Sequence, residues 1–343
     1  MINTLAVSPE AHVKEELFFG KEFNFSYSSL KRLVEAPSLF YKEYVLREKE
    51  VSYDKYLLEG VLIHWLLLDG LNFEEKFVVA PDDLPSANSM KVIDAVFKIY
   101  QEKILEDPTL NDLELFDFED EILEILEELN LHQKVGEEKR AAKVADLKGI
   151  GFFNHLKSRG KRIIIDSKML DECTRRADIL KDDPDITKLL GMDKDQNEKF
   201  GVYNEIDLNC SLKDMPFGLR GILDNLVVDV ENKSIVINDF KTTGKSLVHF
   251  QDSVEYWLYW LQAAIYKRLA MNFLKDVIND EWSIDFNFIV FDSYNQYYAY
   301  PVSYDTMLLW DEMLEGKLSA AEYHYNNRMF DLPFEFVAGN VYL

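Results

Sequence analysis

Three residues in the second half of the chain have the types and spacing of a reactive group. Asp239 and Lys241 stand two apart in the run Ile235-Val236-Ile237-Asn238-Asp239-Phe240-Lys241-Thr242-Thr243. Period two in a strand puts both on one face. Asp224 interrupts an otherwise apolar run, and the turn Glu231-Asn232-Lys233 between the two runs is a hairpin signal. If the hairpin closes, Asp224 approaches the same face. Two carboxylates about 4 Å apart repel by about 4 kcal/mol at an effective dielectric of about 20. A divalent cation reverses that sign, and such oxygen ligands suit Mg²⁺ or Mn²⁺ rather than a thiolate-seeking metal. The neighbouring ammonium can orient a water and stabilise charge that builds in a transition state. Downstream, Gln262 and Tyr266 have i, i+4 spacing, which places them on one face of a predicted helix.

The elements that must hold these residues follow from periodicity and caps. Ser26, Ser28 or Ser29 caps a helix over residues 26–44, striped by Leu30, Leu33 and Val34 and interrupted at Pro37. A second helix spans residues 55–68, carries His64, and ends at Asp69-Gly70. Residues 73–80 read as a short strand. Strands are expected over 203–210, 218–230 and 234–240, then a long helix over 253–273, strands over 284–291 and 297–302, and a helix over 304–315. Residues 1–20 read as a loose, flexible arm, and 21–343 as one α/β domain. Within it, a mostly helical acidic insertion occupies about 89–190 and the core about 201–302.

The chain has 343 residues with 62 acidic and 38 basic ones, a net charge of −24. That excludes a uniformly basic nucleic-acid coat and leaves room for a local basic cleft. Residues 101–130 alone hold 12 acidic residues and one lysine, either a solvated helical face or an acidic wall. Two cysteines, Cys173 and Cys210, cannot build a four-thiolate cluster or a disulfide framework. No apolar run approaches the roughly 20 residues of a spanning helix. Residues 1–16 lack a basic region followed by an apolar core. The expectation is a cytoplasmic protein with no membrane partner.

Taken in order, Gly221-x-x-Asp224, Asp239-Phe240-Lys241-Thr242 and Gln262-x-x-x-Tyr266 resemble the motifs of the PD-(D/E)XK nuclease superfamily. Earlier segments resemble its RecB-like branch: Ser26-Tyr27-Ser28-Ser29-Leu30, Ala36-Pro37-Ser38-Leu39-Phe40-Tyr41 and Gly60-Val61-Leu62-Ile63-His64. Residues 166–190 resemble the helix pair before the core strands of RecE-like phage exonucleases. The resemblance implies a restriction-endonuclease-like core, a mixed β-sheet flanked by helices, with a helical insertion.

It also implies roles. His64, Asp224, Asp239 and the Phe240 carbonyl would hold one or two Mg²⁺ or Mn²⁺ ions, with Glu205 a further candidate. Lys241 would be the catalytic lysine. Gln262 and Tyr266 would hold DNA and the active site, helped by Arg220 and Lys245. The implied activity is DNA hydrolysis by Mg²⁺-activated water, as an exonuclease acting at DNA ends in phage-type recombination, repair or DNA degradation, in a bacterial cell or phage-infected host. Partners would be DNA, a single-strand annealing or other recombination protein, and a second copy of the chain. Two other readings stay open: a catalytically silent nuclease-fold module in a replication or recombination complex, and an RNA-directed nuclease. Where many relatives carry Cys before Pro this chain has Ala36, and no cysteine triplet follows, so no iron–sulfur cluster is expected. Gly244-Lys245-Ser246 lacks the leading glycine of a P-loop, since position 239 is Asp, so no nucleotide cofactor is expected.

Overall fold

The computed structural model describes residues 9–48, 55–68, 73–80, 83–160 and 162–339. The chain divides into two compact units, residues 1–68 with 177–343, and residues 69–176. The first unit opens with α1 (Pro9–Phe19), β1 (Phe23–Phe25), α2 (Tyr27–Glu35), α3 (Pro37–Phe40), a π-helical turn at Tyr41–Val45, and α4 (Lys55–Leu68). Ser26 caps α2 and forms a capping box with Ser29. Pro37 starts the next helix, where its missing N–H costs nothing. The expected loose arm differs in its second half: residues 9–19 are helical, and Phe18 is buried against Phe23 and Phe40. Residues 1–8, and the Asp69-Gly70 helix end, lie outside the described residues.

The second unit holds α5 (Phe73–Lys76), β2 (Phe77–Val79), α6 (Ala87–Glu106), α7 (Glu119–Glu128), α8 (Glu137–Val144), α9 (Leu147–Arg159) and β3 (Ile163–Ile165). It has its own core, with Val92, Phe97, Phe118, Leu126 and Phe153 buried together. β2 and β3 pair in parallel. Residues 73–80 are therefore a helical turn followed by three strand residues, because Glu74 and Glu75 favour a helix first turn. The second compact unit spans 69–176, whereas the sequence suggests a helical insertion at about 89–190 within one domain.

Helix α10 (Ser167–Lys181) carries the chain out of the second unit. There follow α11 (Pro184–Leu189), β4 (Phe200–Ser211), β5 (Phe217–Asp229), β6 (Ser234–Thr243), α12 (Phe250–Tyr256), α13 (Tyr259–Phe273), β7 (Ser283–Asp292), β8 (Tyr297–Val302), α14 (Tyr304–Asn327) and α15 (Phe334–Val337). Six of the strands form one mixed sheet, ordered β1-β5-β6-β7-β8 with β4 also on β5. Helices cover both faces. Leu30 and Leu33 of α2, Leu261 and Ile265 of α13 and Leu314 of α14 pack with Ile235, Ile237 and Phe286. On the other face, Leu67 of α4, Leu180 of α10 and Ile186 of α11 pack with Ile289 and Phe291. The predicted helix 253–273 is instead two, because Leu258 adopts φ 55°, in the left-handed region.

Candidate active site

Strand β5 is the spine of the site. Its first residues, Phe217–Leu219, pair with β1, and its last, Asn225–Asp229, pair with β6. The stretch between has no ladder on that edge. Asp224 sits at the fork, one residue past the last β5–β6 pair, Asn225 with Asn238. Its Oδ2 accepts the Phe240 N–H at 2.8 Å, which satisfies a backbone donor that the fork would otherwise strand.

The alternation of side chains slips at the same place. Leu223 and Leu226 share one core although they are three residues apart, while Asn225 turns to the opposite face. On β4, Asn204 bonds Asn225, yet Ile206 and Leu208 pack with the Leu223 side. Between them Glu205, at φ 51°, is left out of the ladder. A non-glycine residue held there is a strained backbone imposed by its surroundings. The slip aims Asp224 and Glu205 at helix α4, where His64 Nδ1 is 3.1 Å from Glu205 Oε1 and Nε2 is 3.7 Å from Asp224 Oδ1.

Helix α4 reaches the sheet because Gly60 lets it: a Cβ there would lie 2.8 Å from Thr242 Oγ1. His64 is one turn further on, on the same helix face. Its ring packs on Phe240, centroids 5.5 Å apart. Gly221 does the same for α13. A Cβ at Gly221 would lie 2.8 Å from Tyr266 Cε1 and 3.1 Å from Leu269 Cδ1.

Asp239 and Lys241 share a face, as period two predicts, and they are hydrogen-bonded to each other. Gln262 Nε2 donates to Asp239 Oδ1 at 3.0 Å and to the Tyr266 hydroxyl at 2.9 Å. The Lys241 ammonium also reaches the Phe240 carbonyl at 3.4 Å and lies 4.9 Å from the Tyr259 ring centroid. Burial pushes the Asp224 carboxyl up to about 6, against the pull of Lys241 and the Phe240 N–H. Burial pushes Asp239 up to about 6 as well, reinforced by the Asp224 charge and opposed by Lys241 and His64. Burial alone would lower Lys241, but Asp239 and Asp224 outweigh it and hold the ammonium above the ordinary lysine range. Tyr266 is raised by burial beside the two acids, so its hydroxyl stays protonated.

A cavity of about 670 Å³ opens on this group, lined by His64, Asp224, Lys241, Lys245, Trp257 and Tyr259 among others. The Asp224 side chain is 14% exposed and that of Asp239 is 0% exposed, so only the first presents an oxygen to the cavity. Asp224, Asp239 and Glu205 carry carboxylate oxygens, the donor type that hard divalent cations take, and His64 adds a softer nitrogen. Among the described residues, no three His, Cys, Asp or Glu side chains are arranged as a metal-holding group.

Of the ten candidate residues named from sequence, His64, Asp224, Phe240, Lys241 and Lys245 line the cavity, Glu205 and Asp239 contact that lining, and Gln262 and Tyr266 stand behind Asp239. Arg220 does none of these: it is exposed on β5 opposite Asn209, off the cavity. Lys245 is exposed at the rim. Lys267 and Arg268, which follow Tyr266, are bonded to Asp311 and Glu315 of α14 instead.

A row of asparagines escaped the sequence reading. Asn225 donates to Asn204 at 2.8 Å, Asn238 to Asn225 at 2.7 Å, and Asn287 to Asn238 at 3.0 Å, one rung on each of four adjacent strands. The same amides donate to helix ends: Asn204 to the Leu68 carbonyl, Asn238 to Leu189 and Asn225 to Leu190. The C-terminal carbonyls of α4 and α11 are thereby satisfied. The ladder lies one residue from both Asp224 and Asp239. Only its register could have disclosed it, since asparagine in a strand otherwise reads as a turn former.

A family model described as the PD-(D/E)XK nuclease superfamily matches residues 24–277. Among solved structures, the chain is similar to an Eubacterium rectale protein named "Putative exonuclease", at 11% identity and a TM-score of 0.46, covering 100% of this chain and 94% of that one. None of the curated proteins matches. No helix among the described residues is long and apolar enough to cross a membrane.

Proposed function

The chain belongs to the PD-(D/E)XK nuclease superfamily, and from that premise we propose a divalent-cation-dependent deoxyribonuclease of the RecB-like kind, an exonuclease acting at DNA ends. The mixed sheet with helices on both faces is consistent with the superfamily fold. The observation that carries the proposal is the convergence of Asp224 and Lys241 on one cavity wall, with Asp239 bonded to Lys241 just beneath it and Gln262 and Tyr266 behind.

Asp224 and Asp239 would hold Mg²⁺ or Mn²⁺, with His64, Glu205 and the Phe240 carbonyl as further donors. When bound, the cation supplies Lewis-acid polarisation of the phosphodiester and a more acidic water. The residues themselves do the rest. Lys241 stays protonated and brings positive charge to the wall where a pentavalent phosphorus gathers negative charge. Gln262 fixes one Asp239 oxygen and so the direction of the other. Lys245 at the rim can meet a phosphate. A water oxygen bonds to phosphorus and releases a proton to solvent, the P–O bond to the departing nucleotide breaks, and the leaving oxygen takes up a proton from solvent.

The test is digestion of end-labelled linear DNA by the full chain with Mg²⁺, one labelled terminus at a time. Asp239→Ala and Lys241→Ala are expected to lose about 10³-fold or more in rate while melting cooperatively. Variants that cut as well as the parent would end the assignment. Labelled RNA in parallel separates the RNA-directed reading.

One observation favours a second reading, a catalytically silent binding module. Both oxygens of Asp239 are already engaged and its side chain is sealed from the cavity. Titration calorimetry with Mn²⁺ decides: no heat of binding favours the silent module.

A further inference from the structure

Trp257 follows the last residue of α12 and is 46% exposed; its neighbour Tyr256 is 71% exposed. In one uninterrupted helix Trp257 would lie three residues before Trp260 on the face that Trp260 buries. The left-handed backbone at Leu258 breaks that continuity. Trp260 enters the core, 2% exposed, and Trp257 instead lines the cavity that holds Asp224, Lys241 and Lys245. Non-glycine residues enter this backbone region only where their surroundings impose it, and such sites cluster where ligands are handled.

The surroundings that impose it are visible. The Trp257 carbonyl accepts from the Tyr27 hydroxyl and, at 3.0 Å, from Lys31 Nζ. The same ammonium lies 4.8 Å from the indole centroid. Tyr256 meets the indole edge to face, with centroids 4.7 Å apart and the planes at 87°. An exposed indole is thus clamped by its backbone and flanked by a cation and a second ring, at the mouth of a cavity that contains the acid–lysine group. Core packing, the ordinary role of tryptophan, does not describe a ring this exposed.

Every nucleobase offers a π face, and stacking on an aromatic side chain needs no particular sequence. Inside a duplex both faces are covered by neighbouring bases, so only an unpaired or frayed terminal base has one to offer. A cavity of about 670 Å³ is in the size range of small-ligand sites and suits a nucleotide or two. We propose that Trp257, supported by Tyr256 and Lys31, stacks on an unpaired base of the strand whose phosphate reaches Asp224 and Lys241. Single-stranded or frayed DNA ends are then the preferred substrate. This inference rests on the nuclease reading above.

The test measures anisotropy of labelled single-stranded DNA, single-stranded RNA and blunt duplex on the full chain, in an Asp239→Ala background that prevents digestion. Adding Trp257→Ala is expected to weaken single-strand binding by about 5- to 100-fold, the range of one base–aromatic stack. Trp257→Phe is expected to stay within about threefold of the unsubstituted background, and blunt-duplex binding to move little. Equal loss on single-stranded RNA supports stacking and widens the substrate to both nucleic acids. Trp257→Ala binding single strands like the background overturns the inference. If the same substitution alone also leaves digestion by the otherwise native chain intact, the nuclease reading stands without it. A parent that neither binds nor cuts any nucleic acid overturns both.

Discussion

Asp239 concentrates the tension of the site, because its charge is sealed from water and set near a second carboxylate. Burial pushes its carboxyl up to about 6 in the folded chain, from the ordinary 3.8. The folded state therefore binds that proton more tightly than the unfolded one. Its stabilising effect is complete below about pH 3.8 and is lost as pH rises through about 6. In metal-free buffer, the parent is expected to lose about 1 to 3 kcal/mol relative to Asp239→Asn between pH 4 and 7. Urea unfolding at stepped pH reads this directly, and a flat difference would mean that the acid is ionised throughout. Asp239 and Lys241 could be paired from sequence because period two is local. Leu258 could not be foreseen: its backbone reversal depends on Tyr27 and Lys31, more than 220 residues away, and no glycine or proline marks the place.

The strands, and the helices that dock on them, explain why the motif glycines stand where they do. Gly60 and Gly221 are contact points, each a place where a helix approaches a strand too closely for a side chain. Gly221→Ala is expected to displace the Tyr266 ring and cost about 1 to 3 kcal/mol, measured by thermal melting. The asparagine ladder should be costlier to break. Asn238→Ala removes bonds to Leu189 and Asn225 and strands the Asn287 amide, all in the buried sheet. A loss of about 2 to 4 kcal/mol in urea unfolding is expected. Unchanged stability would show that the rungs are dispensable. Strand order and register were only partly legible in the sequence. The β5–β6 hairpin announces itself through its turn, whereas the pairing of three-residue β1 with β5 rests on contacts nearly 200 residues apart. The slip at Glu205 and Asp224 is masked in the sequence, because Ile222-Leu223 before it and Leu226-Val227-Val228 after it are apolar on both faces.

Charge is a property of the whole molecule, and here it is distributed otherwise than the acidic run suggests. Residues 69–176 hold 24 acidic and 16 basic residues, a net −8, because lysines and arginines after position 130 offset the run before it. A net −16 remains on the unit that carries the site. Of the cations lining the cavity, Lys241 is bonded to Asp239 and Lys245 is exposed. With about two phosphate contacts, the slope of log affinity against log salt should be about −1.4 for single strands. Filter binding across a salt series checks it, and a slope steeper than about −4 would point to a different basic surface. The fork in β5 has a last consequence. Replacing Asp224 with a β-branched apolar residue would strand the Phe240 N–H, and only strands zipped onward past Asn225 would satisfy it again. Selection for thermal endurance alone would sew that seam shut, and a chain so mended would be sturdier and inert.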